Sequence, residues 1–116
     1  MTTRWQDIYL HLKKAGFDVY SPGQHVGDCL SPYVVVKSAG LSQIRQFSST
    51  QTLYDLLCYV PKDHYSTLEP FVEGVKQSMK ELQPMIMPTH FETESYLDPN
   101  VNGHMISVQY RNSRKL

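Results

Sequence analysis

Cysteine is scarce in this 116-residue chain, which has two, Cys29 and Cys58. Two thiols cannot build the disulfide framework of a small secreted domain, so both are expected to be reduced, in a cytosolic setting. Net charge is missing as well. Eleven Lys and Arg side chains cancel eleven Asp and Glu, which leaves no global field to draw the chain to nucleic acid or to an anionic membrane. No apolar run approaches the roughly 20 residues that span a bilayer, and the Met1-Thr2-Thr3-Arg4-Trp5 start has no signal-peptide pattern. Also absent are Gly-x-Ser-x-Gly, a phosphate-binding Gly-Lys-Ser loop and His-Glu-x-x-His. Without an oriented nucleophile, base or metal motif, the expectation is a non-enzymatic protein with no cofactor and no metal. No internal repeat or low-complexity segment divides the sequence. It reads as a single domain over residues 1–116, long enough to bury roughly two-thirds of the surface its unfolded form exposes.

What the sequence does contain is organised around Ser31-Pro32-Tyr33-Val34-Val35-Val36-Lys37-Ser38. Three adjacent β-branched residues are stiff at χ1 and pack well on a pleated surface, and Pro32 fits only where no ladder bond is needed, at the start. Alternation puts Val34 and Val36 on one face and Tyr33 and Val35 on the other, so both faces require cover. Before this strand, Trp5, Ile8, Tyr9 and Leu12 recur at helical spacing. Thr3 and Gln6 form a capping-box pattern at the start, and Gly16 supplies the left-handed exit. The spacing therefore predicts a helix over 4–15, with His11 on or beside its exposed face. Phe17–Tyr20 alternates as a short strand, and residues 24–31 form a loop.

Beyond the central strand, residues 41–51 are rich in Ser, Thr and Gln with isolated Ile44 and Phe47, a pattern of a long hairpin loop or an irregular strand. Residues 52–60 alternate and pair antiparallel with the central strand, ending at Pro61. A second helix spans 66–82 on the stripe Leu68, Phe71, Val72, Val75, Met79 and Leu82. Capping by Thr67 is preferred to the Ser66/Glu69 box because it keeps Pro70 within the first turn, and Gly74 offers close approach of the helix to the sheet. Met85-Ile86-Met87 is a connector. Residues 91–96 and 104–110 make a closing hairpin, with Ile106, Val108 and Tyr110 inward. The last six residues, which include Arg111, Arg114 and Lys115, read as a solvated tail. The predicted fold is α+β, an antiparallel sheet of four to five strands with two α-helices packed on one face and an opposite face only partly polar.

Chemistry-bearing residues are few. His25, Asp28 and Cys29 fall within five residues, but their spacing matches no zinc pattern. His90 and His104 are placed to face each other across the last hairpin, as a surface pair. Glu92 and Glu94 share a strand face, but no apolar pocket is expected beside them to raise one pKa. An aromatic-bearing sheet is a feature of single-strand nucleic-acid binders, yet the positive groove such binding needs is not visible. Eight tyrosines suit a surface that becomes buried on assembly.

In element order the chain resembles bacteriophage tail terminators, the tail-completion or minor tail proteins that include the lambda tail terminator and relatives in phage-like contractile particles. The likeness lies in the helix at Trp5-Gln6-Asp7-Ile8, the Ser31–Lys37 strand, and Leu57-Cys58-Tyr59-Val60-Pro61 ending in proline. The helix from Tyr65 to Leu82 and the hairpin through Phe91 and Ile106 continue it over nearly the full chain. The resemblance implies a structural virion protein, assembled in the cytoplasm of a bacterial host. Its subunits would form a ring, commonly a hexamer, that caps the head-proximal end of the tail tube, stops polymerisation and joins the head. Its partners would then be the tail tube protein and head–tail connector proteins, with no membrane and no specific nucleic acid. Leu41, Ile44, Arg45 and Phe47 are the expected assembly contacts, with the 98–103 turn second. A head–tail connector or neck component is the alternative, and a small nucleic-acid-binding module is a more distant one.

Overall fold

Helix, short strand, two long strands, helix and hairpin follow one another in the computed structural model, which describes residues 4–44 and 49–115. Helix α1 (Arg4–Lys14) ends as its sequence requires: Gly16 has φ +100°, and Phe17 N–H reaches back to the Leu12 carbonyl at 3.1 Å. The chain then forms β1 (Val19–Tyr20), β2 (Tyr33–Ile44) and β3 (Ser49–Pro61). After a 3-10 turn over Lys62–Thr67 come α2 (Leu68–Met79), β4 (Met87–Glu92), β5 (Tyr96–Asp98) and β6 (Gly103–Lys115). The sheet order is β1-β2-β3-β6-β4, with β5 also on β6. All pairings are antiparallel except β1 with β2. That one is parallel because residues 21–32 carry the chain back across the sheet before β2 begins.

Both helices pack on one face, as the fold class requires. Ile8 and Leu12 from α1 and Leu68, Val72, Val75 and Met79 from α2 close over Val34, Val36, Leu56, Cys58, Val60 and Val108. The alternation read from the sequence is kept: Tyr33 and Val35 belong to a second, smaller cluster on the other face. Ile86 is fully buried in the connector. Among the described residues no helix is long and apolar enough to cross a membrane.

Several local expectations are corrected. Thr67 stands just before α2, but its hydroxyl donates to the His64 carbonyl at 2.6 Å and caps nothing. The preceding 3-10 turn already supplies helical geometry, so no extended cap residue exists there. Thr3 lies outside the described residues. His11 is half-buried, with Nε2 2.8 Å from the Ser78 carbonyl, tying α1 to α2. Residues 91–96 do not form one strand, because β4 ends at Glu92 and β5 starts at Tyr96. His90 adopts φ +67° at an irregularity in the β4–β6 pairing, while His104 lies against Tyr65, so the two histidines do not face each other.

Gly74 is not a point of close helix–sheet approach. It is exposed, and an added Cβ would meet only the Phe17 ring, at an ordinary 3.9 Å. Gly74→Ala should therefore stabilise the fold by about 0.5–1 kcal/mol, read as a higher urea midpoint at unchanged m-value.

Candidate functional site

Among the described side chains, the helix-covered core reaches as far as the row Ser38–Tyr54–Tyr110, where Tyr54 and Tyr110 are buried. The sheet goes further. Five further rows, from Gly40–Leu53–Arg111 to Ile44–Ser49–Lys115, continue as paired backbone, an overhang of roughly 17 Å at about 3.4 Å per residue. The molecule is accordingly 46 Å long and 27 by 24 Å across. Of the stretch expected as a long hairpin loop or an irregular strand, residues up to Ile44 extend β2 and those from Ser49 extend β3, while the expected tail extends β6 to Lys115. Neither stretch carries the apolar alternation that marks a buried strand, so the sequence did not show them as strands. The ladder between backbones holds them instead.

This arm has open edges. Val34 N–H bonds to the Asp18 carbonyl, so the backbone groups of Val34 and Val36 point away from β3. The Val36 carbonyl accepts a hydrogen bond from Trp5 Nε1 at 2.8 Å, one residue past the last β1 partner. From Lys37 to Ile44 the outer edge of β2 pairs with no strand among the described residues, and neither does β6 beyond Arg111 on the β4 side. Of the residues expected to make assembly contacts, Leu41 and Ile44 lie on this edge strand. Arg45 and Phe47 lie outside the described residues.

A concave feature borders α2. Between α2 and residues 92–95 runs a groove of about 540 Å³. Its floor is Leu68, Val72 and Ile106, Tyr65 stands half-exposed at its mouth, and Glu69, Glu73, Glu92 and Glu94 rim it. Lys76 Nζ bridges Glu92 at 2.9 Å and Glu73 at 3.8 Å. Glu92 and Glu94 therefore do border an apolar-floored groove, which the sequence hid because α2 supplies that floor.

The remaining candidates do not converge. The His25 ring stacks on Tyr33 at 4.1 Å, Asp28 accepts from Asn102 Nδ2 at 3.1 Å, and the Cys29 thiol donates to the Ser31 carbonyl. Among the described residues no group of three or more His, Cys, Asp and Glu is placed to hold a metal ion. Tyr33 stacks in turn on Tyr59 at 4.8 Å, and the two are 2% and 8% exposed. With the 21–32 segment over them, these rings offer no platform for bases. Four of the eight tyrosines are buried within the chain itself.

Burial pushes the Cys58 thiol up to about 12, with Glu92 adding to the rise, and the Tyr110 phenol up to about 12 for the same first reason. Both groups are thus held neutral in the folded state. An unfolded chain releases the Cys58 proton near pH 9 and the folded chain does not, so its contribution to stability is full below pH 9 and is lost as pH rises towards 12. Chemical denaturation should show stability falling across that window by up to about 1.4 kcal/mol per pH unit for each such group, and Cys58→Ala should flatten the slope.

Compared with known proteins, the chain matches no family model and no curated sequence.

Proposed function

We propose that this chain is a structural subunit of a phage or phage-like particle, one that assembles into a ring, a hexamer, on the head-proximal end of a tail tube. There it ends tube polymerisation and offers the surface that joins the head through connector proteins. Its role is assembly rather than catalysis. The observation that carries this reading is the overhanging arm with unpaired edges on β2 and β6. An unpaired strand edge is a template for a further chain, and soluble proteins ordinarily keep such edges short or covered. The two edges belong to different strands, so their union is heterologous, the kind of contact that closes into a ring when the rotation between copies allows. Resemblance in element order adds the tail-terminator identity to that geometry.

Absolute mass by light scattering, over a concentration series and with tail tube protein added, tests the reading. A closed ring of about six copies, or a monomer recruited to tube ends, supports it. A monomer that ignores tubes removes it. Capture by portal-side connector protein instead of tube would move the assignment to the neck.

A further inference from the structure

The formal charge of zero conceals a segregation. Between Ser38 and Tyr54 the sequence holds no acidic residue and one basic one, Arg45; between Tyr110 and Leu116 it holds Arg111, Arg114 and Lys115 and again no acid. Every charge carried by the sequence of the arm is positive. The α2 groove is its opposite, with four glutamates around an apolar floor and one lysine. That lysine is engaged with Glu92 and Glu73, and among the described residues no cation pairs with Glu69 or Glu94. Both of these carboxylates are exposed.

From this complementarity we infer that the groove between α2 and residues 92–95 seats the basic end of the arm, Arg114 and Lys115 on β6, of a second copy of this chain. The inference rests on the ring reading and adds a second contact to the joining of strand edges. Backbone register puts Arg114 opposite Thr50 and Lys115 opposite Ser49, in the last two rows of the overhang. Among the paired rows these lie farthest from the Ser38–Tyr54–Tyr110 row. Groove and arm end are different surfaces, so docking one into the other is head-to-tail and repeats around a ring. Leu68, Val72 and Ile106 provide apolar contact under the arm while Glu69 and Glu94 flank it. Opposite potentials across such a contact set register and speed association, and like charges suppress it.

Charge exchange provides the test. Glu69→Lys with Glu94→Lys makes a basic groove, and Arg114→Glu with Lys115→Glu makes an acidic arm end. All four positions avoid the helix-covered core, and circular dichroism melts verify that each variant folds. Each variant alone should self-associate roughly a hundredfold more weakly than the parent chain. An equimolar mixture should regain the parent mass, because acidic arm ends fit basic grooves and basic arm ends fit the acidic grooves that remain. The chain carrying all four substitutions should assemble by itself. If the parent assembles but the single-site variants match it, or if neither the mixture nor the fourfold variant recovers, the groove is not the seat and the ring reading stands without it. If the parent fails to assemble with or without tubes, both readings fall together.

Discussion

Exchanging both Ile44 and Phe47 for serine should leave the protein folded and abolish the proposed ring. The melting temperature should stay within a few degrees of the parent if the two side chains serve assembly alone, because substitutions outside a packed core usually change stability by no more than about 0.5 kcal/mol. Ile44 lies at the last paired row of β2, six positions beyond Ser38 and opposite Ser49. On the ring reading, this backbone position belongs to the strand edge that a neighbouring copy would extend. Light scattering should then show monomer at concentrations where the parent forms rings, and tube ends should no longer recruit it. Loss of the folded state would give the opposite answer, that these residues fold back over the chain's own core.

Leu56→Ala should act in the reverse manner. Leu56 is fully buried on the helix-covered face, in the middle of β3, between Val36 on β2 and Val108 on β6. Truncation removes three carbon atoms from a site walled by two strands and two helices, where the surroundings collapse incompletely, at a cost of about 2–5 kcal/mol. At roughly 3–6 °C per kcal/mol for a domain of this size, the melting temperature should fall by at least about 6 °C. Ring formation at low temperature should survive in whatever fraction stays folded, since Leu56 is fully buried and does not line the groove. A shift of less than about 1 kcal/mol would mean that the core is repacked more freely than its burial implies.

These two substitutions mark the line between what was legible in the sequence and what was not. Val34-Val35-Val36 could be read because burial on both faces leaves an unbroken β-branched run, and α2 because Leu68, Val72, Val75 and Met79 repeat at helical spacing. Past Ser38 that grammar stops. Gly40, Ser42, Gln43 and Thr50 are strand residues held by ladder bonds to neighbouring backbones, and a sequence records side-chain burial far better than backbone pairing. The groove was hidden for another reason. Glu69 and Glu73 stand four apart on one helix, but Glu92 and Glu94 join them only when the chain has passed the connector and β4. One signal does lie in the sequence: residues 38–54 and 110–116 contain no acidic residue, in a chain whose charges sum to zero. His11 shows the limit of helical periodicity, which places a residue on a face of α1 and says nothing of α2 lying beside that face.

Trp5 is the only tryptophan in the chain. Its indole N–H holds the Val36 carbonyl where β2 leaves the cover of β1, and its ring stacks on Tyr9 at 5.1 Å. The sole strong intrinsic fluorophore therefore sits at the root of the arm, touching the strand whose edge a neighbour would extend. Emission wavelength and quenching there report the seating of that edge with no label attached. Stopped-flow mixing of subunits with tubes can then follow docking in real time, as a change in the colour of one indole.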